Sequence, residues 1–223
     1  MNHENIKICI SSCKLYSEKT IPCIVNSLIQ SGINTSDILI VEGGWDVKSS
    51  TKENDIQYIK VNHNSFDLTS FIEIIESNIE SDYWLLLHDT CRVGKNFKNI
   101  IDSFELNFEK MSVIHGSPSM SIGIYKHSYL IKHKDLILSY KNIDYSSEGI
   151  RLAKLKAGAG EDVLFKLTDC DRFSMGVARI TQPVDINWYP TNTHRLQEYF
   201  PQLDLYKLKG NWGQSGDTPI TTV

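Results

Sequence analysis

The stretch Asp82-Tyr83-Trp84-Leu85-Leu86-Leu87-His88-Asp89-Thr90 decides how this chain is read. Its apolar residues run from Tyr83 to Leu87 without the alternation of a half-buried strand. Such a run marks a strand covered on both faces, which belongs in a parallel sheet with helices on either side. The run stops at His88-Asp89-Thr90, so the greasiest strand delivers polar groups at its carboxyl end.

The segments upstream fit the same architecture. Ile6 to Ile10 alternates as a strand and ends at Ser11-Ser12. A helix follows, with Pro22 near its start, Ile21, Ile24, Val25, Leu28 and Ile29 on one face, and Ser31-Gly32 as its stop. Asp37 to Val41 is a second strand, breaking at Glu42-Gly43-Gly44, and together these form a βαβ unit. Ile56 to Val61 is a third strand, and Leu68 to Ile79 a helix with apolar residues at Leu68, Phe71, Ile72, Ile74, Ile75 and Ile79.

Downstream, the pattern gives a helix around Asn96 to Phe108, strands at Met111 to His115 and Met120 to Tyr125, and helical stretches from His127 to Tyr140 and Ser147 to Lys156. Glu161 to Thr168 reads as a short helix after the joint Gly158-Ala159-Gly160. From Pro190 to Val223, aromatics, Lys and Gly mix without clear periodicity. The expected fold class is α/β, a domain over residues 1–189 with a mainly parallel central sheet flanked by helices, and a tail over 190–223 that packs on it and could act as a lid.

Composition bounds the function. The 223 residues are 41% hydrophobic and 22% charged, an ordinary globular balance. A net charge of -4 argues against a chain held mainly by nucleic-acid phosphates. No apolar run reaches the ~20 residues of a membrane helix. The first residues, Met1-Asn2-His3-Glu4-Asn5, lack the marks of a secretory signal, so a cytoplasmic chain is expected. Cys9, Cys13, Cys23, Cys91 and Cys170 have neither zinc-finger spacing nor an even count, and read as small buried hydrophobes. The absence of GxGxxG after the first strand and of GxxxxGK[ST] argues against a dinucleotide enzyme and a P-loop NTPase.

In open α/β sheets, ligands bind beyond the carboxyl ends of the strands, where strand order reverses. Three polar strand ends converge on that rim: Ser11-Ser12-Cys13, Glu42-Gly43-Gly44-Trp45-Asp46 and His88-Asp89-Thr90. Gly43-Gly44 allows close backbone approach to a ligand or simply makes a turn. Trp45 offers a flat face for a base or sugar ring. Asp89 is placed either to ligate a divalent ion on a diphosphate or to cap a neighbouring segment.

These elements, with "DYWLLLHDT" (Asp82 to Thr90), "MSIGIYKHSYL" (Met120 to Leu130) and "GAGEDVLFKL" (Gly158 to Leu167), resemble the nucleotide-sugar-binding half of GT-A glycosyltransferases over roughly residues 5–170. The resemblance implies a Rossmann-like GT-A domain that moves a sugar from a UDP- or GDP-sugar to a hydroxyl of a glycan or other acceptor. It implies Mn²⁺ or Mg²⁺ on Asp89, with His194 as a further ligand, and Asp162, beside Glu161, as general base. Ser11, Glu42, Asp46, His88, Asp89, Arg92, Lys95 and Arg195 are the implied donor-binding residues. The chain departs from the family's acidic DxD triplet, since His88 and Thr90 flank a single Asp. A non-catalytic nucleotide- or glycan-binding module is the alternative, and a sugar-phosphate nucleotidyltransferase the third reading. The acids at 161 and 162 have a plainer explanation as well, since carboxylates favour the first turn of any helix.

Overall fold

The computed structural model describes residues 5–112, 122–153, 155–156, 173–174, 180–182 and 194–210. The strands are β1 (Ile6–Cys13), β2 (Ile38–Gly43), β3 (Ser49–Glu53), β4 (Ile56–Lys60), β5 (Tyr83–His88), β6 (Cys91–Val93), β7 (Lys110–Ser112), β8 (Gly123–Lys126), β9 (Phe173–Ser174), β10 (Ile180–Gln182), β11 (His194–Phe200) and β12 (Leu205–Gly210). The helices are α1 (Ser17–Gln30), α2 (Thr69–Glu76), α3 (Phe97–Asp102), α4 (His127–Lys132), α5 (Lys134–Leu138) and α6 (residues 147–153). Among the described residues, no helix is long and apolar enough to cross a membrane.

The chain divides into two compact units, each assembled from separated segments. One comprises residues 1–17, 34–88 and 106–176, the other 18–33, 89–105 and 177–223. The boundary expected at residues 189–190 lies outside the described residues.

The first unit is a mixed β-sheet flanked by helices, Rossmann-like in its parallel half. Strand order is β3-β4-β2-β1-β5-β8-β7-β9. Strands β4, β2, β1 and β5 are mutually parallel. From β1 the chain adds β2 and β4 on one side and then β5 on the other, so strand order reverses between β1 and β5. The mainly parallel sheet expected from the sequence needs correction at two places. β8 runs antiparallel to both β5 and β7, and β3 antiparallel to β4. Between β3 and β4 only Asn54 and Asp55 intervene, too little chain for a parallel crossover, which takes a dozen residues or more. The β3–β4 hairpin turns at Asn54-Asp55, both with positive φ (49° and 67°), the backbone a tight hairpin demands.

The core of this unit lies under α2, α4 and α5. Cys9, Leu39, Val41, Ile59, Val61, Phe71, Ile72, Ile74, Trp84, Leu86, Tyr125, Tyr129, Leu130 and Ile137 form one buried cluster. Tyr83 to Leu87 is wholly buried, as a strand covered on both faces must be. Its two aromatics keep their polar atoms satisfied: Trp84 Nε1 donates to His127 Nδ1 at 3.1 Å, and Tyr83 Oη donates to the Phe108 carbonyl at 2.9 Å. The edge of Phe71 meets Tyr125 with ring centroids 4.8 Å apart.

The second unit carries an antiparallel sheet in the order β10-β11-β12-β6. Tyr199 and Tyr206 stack across β11 and β12 at 4.5 Å between centroids. Asp204, in the turn between them, binds the chain after β6. Its carbonyl accepts from Gly94 N at 2.7 Å, and its carboxylate accepts from Asn96 N at 3.0 Å and Tyr199 Oη at 3.2 Å. A Cβ on Gly94 would lie 2.2 Å from that carboxylate, which explains the glycine. α3 is shorter than the expected Asn96 to Phe108 helix, because beyond Asp102 the residues Phe104, Leu106 and Phe108 no longer follow helical spacing.

Truncating the central strand tests this arrangement. Leu86→Ala leaves a void where a fully buried side chain met the core. It should lower unfolding free energy by about 2–5 kcal/mol, read from denaturant titration.

Candidate functional site

The parallel registers fix which residues share the carboxyl edge of the sheet. Ser11 stands beside His88, Ser12 beside Glu42, and Cys13 beside Gly43. Three of the expected donor-binding residues, Ser11, Glu42 and His88, are therefore neighbours at the strand ends where the order reverses. Ser11 Oγ donates to the Phe66 carbonyl at 3.2 Å, and His88 Nε2 lies 2.8 Å from Asp67 Oδ1. Both are tied to the turn that leads into α2. Glu42 is buried, and Asp46, farther along the loop, is fully solvated.

The loop after β2 is set by the loop after β4. Gly44 N donates to the His63 carbonyl and Trp45 N to the Val61 carbonyl, each at 2.9 Å. A Cβ on Gly43 would lie 2.9 Å from the His63 carbonyl oxygen, and Gly44 has φ +86°. Close packing of one loop on the other, and not room for a ligand, accounts for this glycine pair. Two ammonium groups flank the half-buried Trp45: Lys60 Nζ is 4.0 Å and Lys14 Nζ 5.2 Å from the ring centroid. Lys14 also pairs with Asp46 at 3.0 Å. The lysines were invisible as partners of Trp45 in the sequence, since they come from the ends of different strands.

In the second unit, Asp89 is 9% exposed and its Oδ2 accepts from Thr20 Oγ1 at 2.7 Å. The bond joins the residue after β5 to the first turn of α1. Arg92 lies on β6 with its guanidinium 4.9 Å from the Tyr206 ring centroid, and Lys95 is exposed in the following loop. Cys23 stands near Arg92, and burial, outweighing that positive charge, pushes its thiol pKa up. His194 and Arg195 lie on β11 with side chains outside the described part of the structure, and Glu161 and Asp162 lie wholly outside the described residues.

Asp89 offers a single carboxylate already engaged by a hydroxyl, and no group of three ligating side chains among the described residues includes it. The donors described there do not by themselves make a metal site. Such a group forms elsewhere in the first unit: one atom each from His63, Glu73 and Glu76 lie within 4.8 Å of one another, and the three could hold a divalent ion. His63 follows β4; Glu73 and Glu76 are one turn apart on α2. Burial, reinforced by the charge of Lys141, holds the His63 imidazole pKa down to about 4. The sequence carried one signal for this cluster. Glu73 falls between Ile72 and Ile74 on a short apolar helix, and it is buried with them.

No protein-family model matches the sequence, and no curated protein does. Among solved structures, S. aureus TarS 1-349 is similar at 15% identity and TM-score 0.40, over 68% of this chain and 55% of that one. A glycosyltransferase involved in the glycosylation of the major capsid of PBCV-1 is similar at 16% identity and TM-score 0.34, over 59% of this chain and 65% of that one. The chain thus spans little more than half the length of the TarS chain and about two thirds of the other.

The Thr20–Asp89 bond has a measurable signature. Thr20→Val and Asp89→Asn should each lower stability by about 1–3 kcal/mol, the range for a buried hydrogen bond to a charged group. The double variant should lose less than the sum, because one change removes and the other weakens the same hydrogen bond. Additive losses in chemical denaturation would show that the two residues act separately.

Proposed function

We propose that the chain is a nucleotide-sugar-dependent glycosyltransferase, with the carboxyl edge of β1, β2 and β5 receiving the donor. The observation that carries this reading is the reversal of strand order between β1 and β5, since open α/β sheets bind ligands at that point. Trp45, with Lys14 and Lys60 beside its ring, suits a nucleotide: the indole takes a flat base, and the ammonium groups take its phosphates. Ser11, Glu42 and His88 are assigned to the donor as hydrogen-bonding groups in this proposal. The resemblance of the sequence to GT-A glycosyltransferases supplies the transfer itself. The nucleoside diphosphate leaves while positive charge grows on the sugar, and cations near the leaving oxygens stabilise that separation. Asp162 accepts the proton of the acceptor hydroxyl in this proposal, and Arg92, Lys95 and Arg195 are assigned to the diphosphate. Mn²⁺ or Mg²⁺ on Asp89 and His194 belongs to the same proposal.

The engagement of Asp89 by Thr20 favours a second reading, a binding module of the same fold without turnover. A thermal-shift panel of UDP, GDP, CMP and their sugars, with and without Mn²⁺, tests the shared part. The right nucleotide at about 100 times its Kd should add about 2.7 kcal/mol of apparent stability. Trp45→Ala should weaken that binding about tenfold or more. No shift with any nucleotide would reject both readings. Donor hydrolysis or transfer separates them, and Asp162→Asn should spare binding while slowing turnover about 100-fold.

A further inference from the structure

We propose that His63, Glu73 and Glu76 form a site for a first-row divalent cation, taking Zn²⁺ more tightly than Mn²⁺, and Mg²⁺ or Ca²⁺ weakly. The site does not depend on the glycosyltransferase reading.

Two observations point to a missing partner. His63 is 1% exposed and Glu73 is 0% exposed. His63 Nε2 and Glu73 Oε2 are both sealed from solvent, and neither has a hydrogen-bond partner. A buried imidazole nitrogen and a buried carboxylate oxygen are costly to leave in that condition. They sit in the one group of three potential metal ligands found among the described residues. The third member, Glu76, comes from the same helix and can close on an ion from the solvent side.

The surroundings suit a cation. The other ring nitrogen, His63 Nδ1, lies 3.4 Å from Ser65 Oγ, a second contact that holds the ring's orientation. Ammonium groups lie against both carboxylates. Lys48 Nζ is 2.7 Å from Glu73 Oε1, and Lys141 Nζ is 2.6 Å from Glu76 Oε1. Lys48 is 44% exposed and Lys141 32%, so both can turn out to water, which the buried His63 and Glu73 cannot do. Ligand atoms within 4.8 Å must draw in to the roughly 3–3.5 Å spacing that bonds of about 2 Å impose, and Glu76 has the freedom to move. One imidazole with two carboxylates is a mixed nitrogen and oxygen set, which ranks Zn²⁺ above Mn²⁺ and both above the all-oxygen ions.

An ion here would link the loop after β4 to α2. The His63 carbonyl receives Gly44 N, so the same residue also supports the loop that carries Trp45.

The test is a titration of the chelator-treated, full-length chain with Zn²⁺ against a chromophoric chelator, and with Mn²⁺ by electron paramagnetic resonance. One equivalent of Zn²⁺ should bind and raise the thermal midpoint. His63→Gln and Glu73→Gln should each weaken binding about 10–100-fold. Glu76→Gln, at the solvent edge, serves the same purpose should either buried variant fail to fold. Lys141→Met should tighten binding, since the ion no longer competes with its ammonium group. Failure to bind an equivalent of Zn²⁺, or binding that survives both His63→Gln and Glu76→Gln, overturns the assignment. So does binding lost in Asp89→Asn and kept in Glu76→Gln, which would place the ion with Asp89.

Discussion

The parallel pairing of β1 with β5 is the constraint on which the first unit depends. Ile6 meets Tyr83, Ile8 meets Leu85, and Ser11 meets His88. A strand as apolar as Tyr83 to Leu87 is stable only with layers on both faces, and a parallel partner reached through helical crossovers supplies them. The same register then decides the chemistry. Because the side chains of a strand alternate, a slip of one residue would send each β1 side chain to the opposite face of the sheet and separate Ser11 from His88. Packing and the placement of polar groups are thus one choice.

Much of this was legible in the sequence. β1, β2, β4 and β5 each announce themselves by an apolar run closed by polar residues or glycine, and burial drives their formation. β3 gave no such signal, because Ser49-Ser50-Thr51-Lys52-Glu53 is exposed throughout and forms only as the partner of β4. β11 and β12 were hidden for the opposite reason. Glu198 and Lys207 stand opposite each other in register, and both are buried, so charged letters occupy positions that hydrophobic periodicity assigns to surface.

The candidate site divides along the same line. Strand ends are local properties, so Ser11, Glu42 and His88 could be read as converging from the pattern alone. Partners are not local. Thr20 reaches Asp89 from 69 residues away, Lys60 reaches Trp45 from another strand, and His63 meets Glu73 through the return of the chain into α2. Asp89 shows the cost of that blindness, since an acid at the end of a buried strand looks the same whether it awaits an ion or holds a hydroxyl. The polar residues that packing does enclose, such as Glu73, are visible in sequence only as breaks in an apolar face.

The interleaving of the two units carries a consequence for biosynthesis. The second unit takes its helix α1 from residues 18–33, its β6 and α3 from residues 89–105, and its remaining strands from residues beyond 176. β6 finds its neighbour β12 only after more than a hundred further residues have been made. As the chain leaves the ribosome, β6 must therefore wait for its partner strand, while most of the first unit's sheet is already complete. Neither unit can be cut out as one contiguous fragment. The second unit's sheet thus closes only once β11 and β12 have been made.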